Sequence, residues 1–208
     1  MSTSRSREGK DGCTLFEHER KYRCINYYLT NVLDENSDDS DLNTLIDTIR
    51  MMSEDDVINI FINSHGGRLD YTIQLINAIK ECSGKVVTVI DGICYSAATL
   101  VFLAGDEMVL NENISMMCHY YSGGVNGKGG EIEKYVEYIQ SFNKAMFSSL
   151  YDGFLTKDEL RRMFSGEDFW FDFDEISRRL TARNEYLIKK NAASEKKTRT
   201  RKADKNAK

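Results

Sequence analysis

Three separated segments of the chain carry residue types that could together perform acyl transfer. Ile62-Asn63-Ser64-His65-Gly66-Gly67 ends in a glycine pair, and Gly92-Ile93-Cys94-Tyr95-Ser96-Ala97-Ala98 sets a serine among small residues. Met116-Met117-Cys118-His119 closes an apolar run with a histidine. Glycine amides can approach an oxyanion with no side chain in the way. A serine flanked by alanines can stand at the mouth of a turn with its hydroxyl exposed. Along the chain the order is oxyanion turn, serine, histidine, the parts that serine-dependent acyl transfer needs.

Each residue also has a plainer role open to it. Ser96 could be a small packing residue or a helix cap, and His119 a structural histidine ending a strand. Of the chain's three histidines, His18 lies in a charged N-terminal stretch and reads as solvated. His65, beside the glycine pair, either touches substrate or is merely tolerated. Five cysteines at irregular spacing, with no C-x-x-C pair, give no ligand pattern, so neither metal nor cofactor is expected. Three of the five lie in apolar runs, as reduced thiols do, which points to the cytoplasm.

The elements that must position these residues alternate between strand and helix. Residues 24–29 and 57–62 are β-rich, and residues 86–90 and 114–118 are continuous apolar runs. Residues 34–41 form an acidic turn able to cap a helix over Leu42, Leu45, Ile46 and Ile49. A second helix follows Gly67, carries Ile73, Ile76 and Ile79, and stops at Gly84. A third begins at Ser96 and is almost wholly apolar to Leu103. Buried strands alternating with helices predict an α/β fold with a parallel sheet. A long helix over residues 131–151 carries Ile132, Tyr135, Val136, Ile139, Phe142, Met146, Phe147 and Leu150 at helical period. Its simplest reading is a core face, yet Tyr138 and Tyr151 add aromatic surface beyond one packed side, which suggests an interface.

The three segments resemble the proteolytic subunit of the Clp protease family, over about residues 20–180. There a strand ends in Asn-Ser-Pro-Gly-Gly, a Gly-Met-Ala-Ala-Ser-Met-Gly turn carries the nucleophile, and Met-Ile-His-Gln-Pro carries the base. The resemblance implies a ClpP/crotonase-like spiral of βαβ units with a projecting handle helix over residues 131–151. It implies Ser96 as nucleophile and His119 as base, with the amides of Gly67 and Ala97 as the oxyanion hole. The third member would be Asp168 in Gly166-Glu167-Asp168-Phe169, with Asp172 and Asp174 close behind as alternatives. Gly66, together with Gly123, Gly124 and Val125 of the glycine-rich residues 122–130, would contact substrate backbone. That run lacks the Gly-Lys-Ser/Thr ending of a phosphate loop. This chain departs from the family pattern at His65, Ala98, Tyr120, Tyr121 and Glu167, and it contains no proline.

Composition bounds the rest. A chain of 208 residues with 41% hydrophobic content supports one well-buried core. The net charge of −5 gives no general reason to expect nucleic acid. From Lys189 onward, nine Lys or Arg face only Glu195 and Asp204. Such a basic segment predicts a disordered tail over residues 189–208, following a polar segment over 1–20 and a peptidase domain over 21–188. The tail reads as a solvated extension, or as an anchor to an acidic partner or nucleic acid. No membrane span or signal peptide is expected. By resemblance the function is a serine endopeptidase subunit of stacked homo-oligomeric rings, fed unfolded polypeptides by a separate ATP-dependent AAA+ unfoldase. Rival readings are an inert scaffold subunit and a crotonase-type acyl-CoA enzyme; a specialised processing peptidase is a variant of the first.

Overall fold

The structure, a computed structural model, describes residues 3–8, 14–19, 22–30, 33 and 39–206, with side chains described for 22–30, 33 and 42–194. A hairpin comes first, β1 (Thr3–Glu8) against β2 (Thr14–Glu19), in a two-stranded sheet of its own. The main body then alternates β3 (Cys24–Leu29), α1 (Asp39–Arg50), β4 (Val57–Ser64), α2 (Leu69–Glu81), β5 (Lys85–Tyr95) and α3 (Ala97–Phe102). It continues with β6 (Glu107–Leu110), β7 (Ser115–Cys118), α4 (Gly129–Leu150), α5 (Lys157–Phe164), β8 (Phe169–Phe171) and α6 (Phe173–Asn206). The expected acidic turn at 34–38 lies outside the described residues.

The six-stranded sheet has the order β3-β4-β5-β7-β8, with β6 also paired to β5. All its pairings are parallel except β7 with β8. Successive βαβ units with a strand branching from β5 give the spiral α/β fold. Inward residues alternate along β4: Ile58, Ile60 and Ile62 are fully buried, against Leu45, Ile46 and Ile49 of α1 and Leu75, Ile76 and Ile79 of α2. At the opposite end of the sheet from the site, buried Asp56 accepts hydrogen bonds from Arg23 and Ser53, and those bonds hold its carboxyl well below the usual range.

Strand β5 is the hinge of the design. Its first half pairs with β6 and its second half with β7. The change falls at Gly92, where a Cβ would lie 2.5 Å from Asn63 Oδ1. That oxygen instead accepts from Ile93 N–H at 3.1 Å. The ends of β4, β5 and β7 thereby meet along one edge, the usual ligand side of a parallel sheet.

Three expectations need correction. Only Asn143, Phe147 and Leu150 of α4 are buried, while Tyr135, Tyr138 and Phe142 are exposed. Its N-terminal half therefore projects and is not a core face. Tyr151, expected to add interface surface, is fully buried, because its hydroxyl finds a partner inside. Where a disordered tail is expected, the backbone continues as helix to Asn206; residues 173–206 hold no Gly or Pro, and Ala, Lys, Arg and Glu favour helix.

Two arginines, Arg183 buried and Arg179 partly buried, fasten the C-terminal part. Arg183 donates to the carbonyls of Leu103, Leu150 and Asp152, each at 3.2 Å. Its charge thus faces the C-terminal ends of α3 and α4, where cations are favoured. Arg179 pairs with Glu159 at 2.6 Å and Glu175 at 2.6 Å and lies 4.4 Å above the Phe171 ring. This draws α5, α6 and β8 together.

Candidate active site

The serine turn is the strained point of the backbone. Ser96 has φ 54 and ψ −126 as the residue before α3, the one positive-φ residue other than glycine among the described residues. A side-chain-bearing residue held there costs about 1–3 kcal/mol and persists only where its surroundings over-determine it. Its N–H donates to the Met117 carbonyl at 2.8 Å, tying the turn to β7. His119, just beyond β7, then meets it directly: His119 Nε2 lies 2.6 Å from Ser96 Oγ.

Gly66 and Gly67 follow β4 with φ 93 and 145. A Cβ at Gly66 would lie 2.8 Å from both Ser96 Cβ and Ala97 N, and one at Gly67 would lie 2.2 Å from the Leu33 carbonyl oxygen. Glycine is therefore required at both positions. Ala97 opens α3, so its amide has no partner within the helix.

Asp168 sits between α5 and β8, with Oδ1 4.0 Å from His119 Nδ1 and its side chain 52% exposed. That is an ion-pair separation and longer than a hydrogen bond. Of the alternatives, Asp172 Oδ1 accepts from Glu175 N–H at 3.0 Å at the start of α6. Asp172 and Asp174 line a separate cavity with Asn63 and Glu112, away from His119. Glu167, where the family has arginine, is ion-paired to Arg162.

A cleft of about 660 Å³ opens over Ser96 and His119. Gly67, Ala97, Gly123, Gly124 and Val125 line it, so the structure brings together every predicted site residue but two. Gly66 lies just behind the serine turn, and Asp168 behind the histidine. The glycine-rich stretch forms a loop along one rim rather than a strand. The opposing wall was not anticipated as such: Ile73 of α2 with Tyr135, Val136, Ile139 and Phe142 of α4. Their helical periodicity was visible, but not which neighbour they faced. Arg68 is also at the wall, ion-paired to Asp70 at 2.6 Å. His65 points elsewhere, edge-on to Tyr95 at 5.7 Å. Tyr120 packs against Phe147 and Phe164, and Tyr121 lines the cleft. Among the described residues, no group of His, Cys, Asp and Glu could hold a metal.

A model of the Clp protease family matches residues 18–176, most of the chain. The chain belongs to the Clp protease family. It is 26% identical over 180 residues to the ATP-dependent Clp protease proteolytic subunit 2 of Pseudomonas aeruginosa, covering 82% of this chain and 87% of that protein. The ATP-dependent Clp protease proteolytic subunit of Bacteroides thetaiotaomicron is 27% identical over 135 residues, 64% of this chain and 61% of its own length. The ATP-dependent Clp protease proteolytic subunit 3 of Rhizobium meliloti is 29% identical over 96 residues, 45% of this chain and 49% of that one. The spiral of βαβ units and the projecting α4 accord with membership of the Clp family. No described helix is long and apolar enough to cross a membrane.

Proposed function

We propose that the chain is a serine endopeptidase subunit of a Clp-type assembly, acting on unfolded polypeptide. The observation that carries this reading is the 2.6 Å approach of His119 Nε2 to Ser96 Oγ at the floor of the cleft. In the reaction, Ser96 Oγ attacks the scissile carbonyl carbon as its proton passes to His119. The oxyanion lies against the amides of Gly67 and Ala97, where each donor contributes about 3 kcal/mol. Collapse breaks the C–N bond, and the imidazolium returns the proton to the leaving amine. Water then attacks the acyl carbon, gives its proton to His119, and releases Ser96 with that proton.

Asp168 steadies the imidazolium through its charge; at 4.0 Å and half exposed, its contribution is smaller than that of a hydrogen-bonded buried aspartate. Gly66 shapes the turn, while Gly123, Gly124 and Val125 offer backbone to the extended substrate. The apolar wall from Ile73 to Phe142 accepts its side chains. Exposed Tyr135, Tyr138 and Phe142 support homo-oligomeric packing of α4 between two stacked rings. An AAA+ unfoldase supplies the polypeptide and hydrolyses the nucleotide. The free thiols Cys82, Cys94 and Cys118 suit a cytoplasmic setting.

The test is cleavage of an unfolded, internally quenched polypeptide by the assembled chain, alone and with a candidate unfoldase. Wild type should cleave and Ser96→Ala should not. Equal cleavage by both would remove the serine mechanism.

A further inference from the structure

Beneath the serine turn lies a buried run of hydroxyl groups that the reaction above does not use. Thr99 is the one polar residue of α3, and its Oγ1 lies 2.6 Å from the Ser96 carbonyl oxygen. The same Oγ1 is 2.5 Å from the hydroxyl of Tyr151, the residue that ends α4. Both side chains are fully buried, as is the Cys118 thiol next to His119 in the chain.

Chemistry sets the direction of this run. A carbonyl only accepts, so the Thr99 hydroxyl gives its single hydrogen to Ser96. Tyr151 must then donate to Thr99. Burial pushes the Cys118 thiol up to about 12 and the Tyr151 phenol well above its usual range, so both keep their hydrogens.

The run ends on the peptide that matters most. The Ser96 carbonyl and the Ala97 N–H belong to one planar trans peptide and point in opposite directions. Holding the carbonyl therefore aims the amide. The other tether on that carbonyl is the backbone bond from Thr99 N–H at 3.0 Å.

We propose that Thr99 and Tyr151 are positioning residues: by fixing the Ser96 carbonyl they aim the Ala97 amide at the oxyanion and hold Ser96 in its strained conformation. The proposal rests on the serine-peptidase reading. Neither residue touches substrate, so the loss should fall on the transition state.

The experiment compares Thr99→Val, Thr99→Ser and Tyr151→Phe with wild type in the assembled full chain, with kcat expressed per site titrated by a fluorophosphonate. Thr99→Val and Tyr151→Phe should lower kcat about tenfold or more with KM within about twofold. Thr99→Ser, which keeps the hydroxyl, should stay within about threefold of wild type. A purely structural role would instead reduce the fraction of titratable sites and leave kcat per site unchanged, and that result overturns the proposal. So does a Thr99→Ser variant as impaired as Thr99→Val. If Tyr151→Phe does not fold, the two Thr99 variants decide alone. A wild type that titrates at Ser96 with unaffected variants sinks the positioning role only, whereas a wild type that never reacts sinks the peptidase reading and this proposal with it.

Discussion

Gly66→Ala places one methyl group where the turn leaves no room. The residue sits at φ 93, where an alanine pays about 1–2 kcal/mol of left-handed strain. Its new Cβ would start 2.6 Å from the Tyr95 carbonyl oxygen and 2.8 Å from both Ser96 Cβ and Ala97 N. Two of those neighbours are backbone atoms, so side-chain rotation alone gives no relief. Reaching ordinary contact requires the serine turn to move by about 0.5–1 Å, and displacement of that size costs on the order of 10²-fold in rate. The stability cost, about 2–3 kcal/mol with the steric contribution, corresponds to a fall in Tm of roughly 4–12 °C for a chain of this size. The assay pairs thermal unfolding with the rate of fluorophosphonate labelling. A folded variant labelling at least about 50-fold more slowly is the expected result. Labelling within about threefold of wild type would refute the claim that the glycine turn sets the serine geometry.

Other perturbations separate the remaining roles. Asp168→Asn should lower kcat about 10²–10³-fold, less than the ~10⁴ of a hydrogen-bonded aspartate, because the carboxylate stands 4.0 Å away. Asp172→Asn keeps an N-cap and should stay within about twofold; the reverse ranking in a kcat measurement would reassign the third member. Arg179 holds the Glu159 carboxyl down to about 2, from an ordinary value of 4.5. Stability from that pair is therefore complete above about pH 4.5 and lost as the pH falls towards 2. Both partners are about 15% exposed, so the contribution is about 2–3 kcal/mol, and Glu159→Gln should flatten that limb in urea titrations across the acid range. Tyr135→Glu with Phe142→Glu should shrink the particle seen by native mass spectrometry, with activity falling in parallel. An unfolded product would instead place those side chains inside one subunit.

Much of this was legible because each strand is short, apolar and followed by its own helix. The run 24–29 reappears as β3 with the same ends, and the elements bearing Ser96 and His119 lie within two residues of where periodicity put them. The β6 branch was not legible. Glu107, Met108, Val109 and Leu110 are four residues of mixed polarity, and they pair only with the part of β5 ahead of Gly92. Strand β8 has three residues, too few for a period, and is made by pairing to β7 and by Arg179 beneath it. The stripe on α4 showed helix but not partner, because an apolar face reads alike whether it lies on its own core or waits for another surface. Tyr151 and Thr99 were hidden for a related reason. Their pairing is a contact across 52 residues, and the sole local sign was one hydroxyl in the apolar helix after Ser96.

The most direct measurement is intact-mass analysis of the assembled chain after a fluorophosphonate, followed by peptide mapping of the adduct. The account predicts one adduct per chain, on Ser96, lost in Ser96→Ala and strongly slowed in His119→Ala. An assembled wild-type chain that forms no adduct, or forms it at another residue, would contradict it.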